Sequence, residues 1–352
     1  MTVRPASQHV KLHHRTSSNS SMRVLTKAQL EKLVEGEIPY YRTMLGAAYL
    51  GDALHLLSKV RRSSVQLILT SPPFALTRPK RYGSYFDRID PDSYIDWFMR
   101  FSSQMYEVLG PDGSLVIHLG GTWVRGRPLK SLYHYKLAVE LCEKTRFRLA
   151  QDFYWANRAK LPTPAEWVTV RRIRVKDAVD PVWWFCKDQE GKTRASNRRV
   201  LQPYSKKMKE LLRRGYYNSG RRPSGHDISK SAFLKRNRGS IPPNLLTFPA
   251  TESNSPYLRY CRQYRIEVNP ARYPVALADF FVRFLTRKGD LILDPFAGSN
   301  ATGEAAERLG RRWLAFEIHE PYLNGSRFRF FSPEQLGFKP SKEFPAPVPR
   351  MS

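Results

Sequence analysis

The chain has 352 residues, of which 59 are Lys or Arg and 31 are Asp or Glu, so its formal net charge is +28. This excess of positive charge favours a phosphate polymer over a small neutral metabolite as the ligand class. Hydrophobic residues make up 41% of the chain and aromatic residues 12%, which is enough for a folded core and excludes a mere basic tail.

Two features bear on where the protein works. No apolar run reaches the roughly 18 residues that a membrane span needs, and the first 21 residues lack the apolar centre of a signal peptide. We therefore expect a soluble, cytoplasmic protein without membrane contact. The three cysteines, Cys142, Cys186 and Cys261, form no CxxC pair. They predict no disulfide framework and no metal site, and we expect buried apolar fillers.

Short β-branched runs alternate with helical stretches, which predicts a doubly wound α/β sheet. The predicted strands are Val65 to Thr70, Ser114 to Leu119, Asp180 to Phe185, Asp290 to Leu293 and Trp313 to Glu317. The predicted helices are Ser93 to Leu109, Leu132 to Lys144, Val275 to Arg287 and Gly303 to Leu309. Asp112-Gly113 predicts a turn into the second strand, and Gly310 a left-handed helix end. Residues 1–22 and 339–352 are expected to lack fixed structure.

The first predicted strand stops at Ser71-Pro72-Pro73-Phe74. Two prolines cannot continue a strand ladder and they fix φ, so the Ser71 hydroxyl and the Pro72 carbonyl would be held rigidly. The exocyclic amine of a nucleobase is a poor nucleophile because its lone pair is delocalised into the ring. Acceptors for its two hydrogens would favour a pyramidal nitrogen, and Phe74 would stack on a base swung out of the duplex. The alternative is a plain Pro-Pro turn.

A basic stretch from Lys187 to Ser240 interrupts the alternation of strands and helices. It contains 16 Lys and Arg against 4 Asp and Glu, with aromatic residues between them. A solvated basic loop region is one interpretation. Because the stretch separates two halves of an apparent catalytic sheet, we favour a DNA-reading segment. Phosphate contacts would supply affinity, and a few side chains would read base edges.

The strand at Asp290 ends in the turn Asp294-Pro295-Phe296-Ala297-Gly298-Ser299-Asn300, which leads into a helix. Such a turn at the carboxyl edge of a parallel sheet is typical of a nucleotide-like ligand site, although plain turns have similar sequences. Glu317 ends the next strand, near the roughly twenty-residue offset at which a carboxylate holds ribose hydroxyls. A dinucleotide and S-adenosylmethionine both carry that ribose. The turn favours the second, since the third glycine of GxGxxG is absent.

Seven segments occur in the order of a known family. They are GDALHLL at 51–57, TSPPFALTRPKRYG at 70–83, KLPTPAEWV at 160–168, RVKDAVDPVWWF at 174–185, RPSGHDISKS at 222–231, GSIPPNLL at 239–246 and NPARYP at 269–274. On these segments the chain resembles amino-methylating DNA methyltransferases of the permuted β group, particularly the PvuII-type cytosine-N4 enzymes. The resemblance covers about 51–330. It implies a mostly parallel, seven-stranded, Rossmann-like sheet, S-adenosyl-L-methionine as cofactor and double-stranded DNA as substrate.

The resemblance also implies roles for individual residues. Ser71, Pro72 and Phe74 would hold the amine and stack on the base, and Pro73 would shape the loop. The implied cofactor residues are Asp52, Tyr273, Asp294, Pro295, Phe296, Ala297, Gly298, Ser299 and Glu317. The expected DNA contacts are Arg221, Arg222, His226, Lys230, Lys235 and Arg236. Asn300 stands where many relatives have glycine. His118 stands where the PvuII-type enzyme has an acidic residue, and is either a proton relay or a structural histidine.

The domain boundaries follow from the same order of motifs. We expect an N-terminal extension at 1–45, a catalytic half at 46–186, a DNA-recognition region at 187–262, a cofactor half at 263–332 and a tail at 333–352. The principal hypothesis is a cytosine-N4 DNA methyltransferase, located at the nucleoid and paired with a restriction endonuclease that shares its site without binding it. Similarity to the PvuII-type enzymes in the recognition region points to the palindrome CAGCTG as the target sequence in DNA. The alternatives are adenine-N6 methylation, or a DNA-binding regulator without turnover.

Overall fold

The computed structural model describes residues 29, 32–75, 91, 93–157, 159–250 and 252–339. The expectations for residues 1–22 and 340–352 lie outside the described residues, as does the part of the TSPPFALTRPKRYG segment after residue 75. Within the described ranges, no helix is long and apolar enough to cross a membrane.

Within the described residues, nine strands form one mixed sheet and two more form a small hairpin. The strands are β1 (Tyr41–Arg42), β2 (Gly46–Leu50), β3 (Val65–Thr70), β4 (Leu109–His118), β5 (Arg148–Ala156), β6 (Val179–Cys186), β7 (Gly220–Arg221), β8 (Asp227–Ile228), β9 (Leu245–Leu246), β10 (Leu291–Asp294) and β11 (Arg312–Glu317). The sheet order is β1-β2-β11-β10-β3-β4-β6-β5-β9, and β7 pairs with β8.

The centre of the sheet is parallel from β2 through β11, β10 and β3 to β4. Strand β6 runs antiparallel to both of its neighbours, β4 and β5. The two-residue strands β1 and β9 extend the edges, so the strands of four or more residues number seven in the described part of the sheet. The prediction of a mostly parallel α/β sheet is confirmed, but the predicted seven strands omit the short edge strands β1 and β9.

Helices cover both faces of this sheet. They are α1 (Ala53–Lys59), α2 (Tyr94–Val108), α3 (Tyr133–Glu143), α4 (Lys206–Arg214), α5 (Pro256–Gln263), α6 (Val275–Leu285), α7 (Ala301–Arg308) and α8 (Glu320–Ser326). Single turns occur at Glu166–Val170, Asn197–Arg199, Arg327–Arg329 and Glu334–Leu336. Helices α1 to α3 bury Leu56, Phe98 and Leu137 against one face. Helices α6 and α7 bury Phe281 and Ala305 against the other, so the sheet is doubly wound as predicted.

Most predicted elements agree with the structure to within two residues at the helix ends. The turn predicted at Asp112-Gly113 is confirmed only in part: both residues lie inside β4, which begins at Leu109, but the regular pairing with β3 begins at Ser114. The parallel pairing of β4 with β3 shifts register between Val65 and Leu67, so an irregular strand stands where the turn was expected. Gly310 has a φ of +73°, which confirms the left-handed helix end.

The elements missed by sequence reasoning have weak patterns. Strand β5 exposes its first four residues, so it lacks the continuous apolar run of the buried central strands.

Cys186 and Cys261 are buried as expected. Cys142 is only partly buried, so its assignment as a buried filler is wrong.

The pairing of β3 with β10 brings together the first and the last of the predicted site motifs, which are far apart in sequence. Strand β10 lies beside β3, with Leu293 opposite Ile68. The Thr70 Oγ1 atom donates to Asp294 Oδ1 at 2.7 Å, although the two residues are 224 positions apart. The turns after β3 and after β10 therefore meet at one edge of the sheet.

Candidate active site

A cleft of about 520 Å³ opens at this edge, a volume typical of small-molecule sites. It is lined by nearly all of the residues predicted to act in catalysis or cofactor binding. These are Asp52, Ser71, Pro72, Pro73, Phe74, His118, Tyr273, Pro295, Phe296, Ala297, Gly298, Ser299 and Glu317. Asp294 lies beneath the cleft surface, and the six predicted DNA contacts lie outside the cleft.

Ser71 directly follows β3 and lies beside His118 at the end of β4, because Thr70 pairs with Ile117. The Ser71 Oγ atom is 3.0 Å from His118 Nδ1. The Tyr94 hydroxyl donates to the Pro73 carbonyl oxygen at 2.8 Å and so fixes the Pro-Pro segment. The Ser71 hydroxyl is therefore held at the sheet edge, facing the cleft.

Aromatic rings form a wall behind Ser71. The Phe74 ring contacts His118 edge to face at a centroid distance of 5.5 Å, and Trp155 contacts His118 from another side at 5.4 Å. A Cβ atom on Gly120 would lie 2.6 Å from Phe74 Cε2, so glycine makes room for the ring. Such a wall suits a planar, uncharged group such as a base.

Two charged residues beside His118 were not predicted as site residues. Lys160 Nζ donates to Asp180 Oδ1 at 2.5 Å, and Asp180 Oδ2 lies 3.9 Å from His118 Nε2. Burial alone would raise the pKa of Asp180, but His118 and Lys160 outweigh it and lower the pKa to about 2. His118 pairs with Val182 across β6, two positions from Asp180. If the pairing of β4 with β6 had been predicted, it would have placed Asp180 near His118.

Glu317 ends β11 at the opposite side of the cleft. Its Oε2 atom accepts a hydrogen bond from the Gly298 N–H at 2.7 Å, and Oε1 accepts one from the His319 N–H at 2.8 Å. Burial raises the pKa of the Glu317 carboxyl. Each carboxylate oxygen can accept more than one hydrogen bond, so both retain capacity for a pair of ligand hydroxyls.

The turn after β10 approaches the NPARYP segment closely at one point. Gly298 has a φ of +51°, and a Cβ atom there would lie 2.0 Å from Asn269 Nδ2. The Ala271 N–H donates to Asn269 Oδ1 at 2.9 Å, which holds the amide in this position. Gly298 therefore allows the two turns to close around one ligand pocket.

Asp294 acts below the pocket surface. Its carboxylate accepts hydrogen bonds from the hydroxyls of Thr70, Tyr273 and Thr302 and from the Phe296 N–H. Burial raises the pKa of this carboxyl, and the hydrogen bonds oppose the shift. Asp294 joins β3, the turn before α6, and α7, so any contribution to cofactor binding is made through the residues that it positions.

Asn300 and Asp52 both begin helices. Asn300 has a φ of +55°, and its Oδ1 atom accepts from the Gly303 N–H at 2.9 Å, which caps α7. Its Nδ2 atom donates to the Tyr41 hydroxyl at 2.9 Å. Asparagine tolerates the left-handed region better than most residues, which explains how it replaces glycine here. Asp52 caps α1 by accepting from the Leu54 N–H at 2.9 Å.

Replacement of Asn300 by alanine is expected to lower the free energy of unfolding by about 1–2 kcal/mol, because a buried cap is lost and alanine disfavours this φ. Ser205→Ala is the control, since Ser205 caps the exposed helix α4. Chemical denaturation should show a larger loss for Asn300→Ala than for Ser205→Ala. Equal losses would contradict a special role for this buried cap.

The predicted DNA contacts lie in the basic region, away from the cleft. Five of them are exposed, namely Arg221, His226, Lys230, Lys235 and Arg236. Arg222 is half-buried, and its Nη2 atom donates to the Asn218 carbonyl at 2.6 Å. Its guanidinium also lies over the Tyr217 ring. Arg222 therefore braces the hairpin of β7 and β8, while the exposed cations remain accessible.

The sheet order and the cleft at its carboxyl edge define the α/β class of methyltransferases. The chain belongs to the DNA methylase family N6_N4_Mtase, whose sequence profile matches residues 65–327.

Individual relatives agree with this assignment. The chain is 45% identical over 312 residues to the type II methyltransferase M.PvuII of Proteus hauseri, covering 88% of this chain and 91% of that protein. It is 23% identical over 273 residues to the DNA adenine methyltransferase YhdJ of Escherichia coli K12, covering 78% of each chain. The solved structure of the PvuII DNA methyltransferase (cytosine-N4-specific) matches with a TM-score of 0.68 and 38% identity, covering 86% of this chain and 93% of that chain.

The chain is thus a DNA methyltransferase, and enzymes of this kind use S-adenosyl-L-methionine as methyl donor. The cleft fits this cofactor. Glu317 offers two carboxylate oxygens for the ribose hydroxyls, and Gly298 leaves space that a Cβ atom would fill. The donor carries no phosphate, so it needs no glycine-rich phosphate cradle.

Proposed function

We propose that the chain methylates the exocyclic N4 atom of cytosine at a specific site in double-stranded DNA. The observation that carries this proposal is the Ser71 hydroxyl, held 3.0 Å from His118 Nδ1 in the same cleft as Glu317. A neutral hydroxyl at this position is the usual choice for cytosine within the amino-methylating group. The name of the matched PvuII structure, which specifies cytosine N4, supports the same assignment.

The chemistry follows from how the residues hold a flipped base. Ser71 Oγ and the Pro72 carbonyl accept the two amine hydrogens, so the nitrogen lone pair turns out of the ring plane. Phe74 stacks on the base and excludes water from its face. When bound, the cofactor supplies an electrophilic methyl group on a sulfonium sulfur. Glu317 and the turn at 294–299 orient that group, so catalysis is mainly positioning and electrostatics.

The two halves of the fold then have separate tasks. Residues 46–186 supply the catalytic half, 263–332 the cofactor half and 187–262 the DNA-recognition region. Methylation protects host DNA from a restriction endonuclease that cuts the same site and does not bind this protein. Such an enzyme works in the cytoplasm at the nucleoid. Similarity of 222–231 and 239–246 to the PvuII-type segments supports CAGCTG as the target.

Nucleoside mass spectrometry of DNA methylated in vitro tests this function. We expect N4-methylcytosine, and single-molecule sequencing of the product should place it in CAGCTG. N6-methyladenine would assign the chain to the rival adenine-specific reaction. Absence of any methylated nucleoside would favour a regulator without turnover, although the residues at Ser71 and Glu317 speak against that alternative.

The recognition region makes a separate prediction about salt. The association constant for DNA falls as salt rises, with a slope of log K against log salt of about −0.9 for each phosphate contact. A Lys235→Ala/Arg236→Ala double variant should make this slope less negative by about 2. An Arg61→Ala/Arg62→Ala double variant is the control, because these exposed residues precede β3 at the edge opposite the cleft. Fluorescence anisotropy at several salt concentrations measures both slopes. Identical slopes for the two variants would remove Lys235 and Arg236 from the interface.

A further inference from the structure

Four polar side chains form a continuous row behind the cleft. Ser71 contacts His118, His118 faces Asp180, and Asp180 is paired with Lys160. We propose that His118 takes up, through Ser71, the proton that the methylated amine must release, and that Asp180, positioned by Lys160, holds the resulting imidazolium. This inference rests on the proposed function, because it needs an amine as the methyl acceptor.

The proton of the methylated amine passes through Ser71 to His118. After the nitrogen–methyl bond has formed, the target nitrogen has used its lone pair and bears one hydrogen too many. One N–H bond breaks, and its electron pair returns to nitrogen as a lone pair. Ser71 Oγ receives that proton while its own hydroxyl proton passes to His118 Nδ1. Ser71 ends unchanged, His118 becomes an imidazolium, and the proton leaves to solvent when the product departs.

The tautomer of His118 follows from this geometry. To accept at Nδ1, the neutral ring must carry its hydrogen on Nε2, which faces Asp180. Within the described residues, Nε2 is buried and has no hydrogen-bond partner. Its distance of 3.9 Å to Asp180 Oδ2 is longer than a hydrogen bond but short for two opposite charges. The pair gains most of its attraction once the ring is protonated.

Burial makes this counter-charge necessary. His118 is 6% exposed and Asp180 is 5% exposed, so an imidazolium without a partner would be costly here. Lys160 Nζ donates to Asp180 Oδ1 at 2.5 Å and lowers the pKa of this carboxyl against the effect of burial, so the carboxylate is ionised while His118 is still neutral. The charge that holds the imidazolium is thus present before the reaction begins.

Among the described residues, the other groups around His118 do not supply that charge. Phe74 and Trp155 present uncharged rings. The Tyr273 ring lies 6.2 Å from the His118 ring, and its hydroxyl donates to Asp294. Burial raises the pKa of Tyr273 well above its usual value, so it stays neutral. Asp180 and Lys160 are therefore the charged pair that faces the histidine, with Lys160 restricting the carboxylate to one orientation.

The test compares wild type, His118→Ala and Asp180→Asn in single-turnover methylation of duplex DNA, from about pH 5 to about pH 9. The wild-type rate should fall on the acid side as the acceptor becomes protonated. His118→Ala should lose about 10²- to 10⁴-fold in rate together with this acid limb. Added imidazole should restore part of the rate to His118→Ala and none to Ser71→Ala. His55→Ala is the matched control, because His55 is an exposed histidine on α1.

A second readout needs no cofactor. NMR of the His118 ring nitrogens in the cofactor-free protein should show the neutral ring with its hydrogen on Nε2, because Nδ1 accepts from Ser71. A neutral ring with its hydrogen on Nδ1, or a His118→Ala variant that methylates at the wild-type rate, would overturn the relay alone. So would a loss of rate that imidazole does not restore in a folded variant that still binds DNA. Absence of methylation by the wild-type protein would overturn the proposed function as well.

Discussion

Ser71→Ala is expected to lower the rate constant of methyl transfer by about 10²- to 10³-fold, the size typical of a lost acceptor or donor aimed at a reacting group. The hydroxyl lies 3.0 Å from His118 Nδ1 and faces the cleft, so alanine removes the acceptor for the amine hydrogen. Cofactor affinity should change little, because Glu317 and Gly298 lie across the cleft. Single-turnover kinetics and calorimetry separate the two effects.

Two further variants sharpen this prediction. Ser71→Thr keeps a hydroxyl and should retain much more activity than Ser71→Ala. Ser58→Ala removes an exposed hydroxyl whose hydrogen bond among the described residues goes to the local His55 carbonyl, and should leave the rate unchanged. A Ser71→Ala enzyme within a few-fold of wild type would exclude Ser71 from the reaction.

Gly298→Ala should weaken S-adenosyl-L-methionine binding by about 1–3 kcal/mol, which corresponds to about 5- to 150-fold in Kd. The new methyl group would lie 2.0 Å from Asn269 Nδ2, so one of the two turns must move. The Gly298 N–H also donates to Glu317, so the same movement disturbs the carboxylate that faces the ribose. Isothermal calorimetry with the cofactor measures the change.

Gly337→Ala is the matched control for this substitution. Gly337 also has a positive φ, +78°, but a Cβ atom there would have no neighbour within 4 Å among the described residues. Alanine there should carry the backbone strain without the collision and leave cofactor affinity unchanged. If both variants bind equally well, the contact between the turns does not shape the pocket.

Sequence reasoning located the parts of the site that end strands. Ser71 and Glu317 were predicted because each follows an apolar run and stops it, and the carboxyl edge of a parallel sheet collects such positions. Asp180 and Lys160 were missed because they reach His118 only through the antiparallel strand β6, and pairing across that strand leaves no local pattern. The burial of Asp294 below the cleft surface could not be predicted from the sequence either, since its four hydrogen bonds come from four separate segments.

The basic stretch at 187–240 shows a different limit of prediction from sequence. Composition identified the basic stretch, but it could not separate cations that remain accessible from those that brace the local structure. Arg222 resembles its neighbours in sequence, yet it is half-buried against Tyr217 and Asn218. Such a difference arises from the hairpin of β7 and β8, whose two-residue strands are too short to give a periodic signal.

The contact between Thr70 and Asp294 joins two parts of the chain that a single cut between them would separate. The turns after β3 and β10 meet because these two strands are neighbours in the sheet, and no peptide bond near the site joins them. The exposed stretch around Gly225 lies between these two strands in sequence. A cut there would place β3 and β10 on separate fragments, so the site could form only when the two fragments associate.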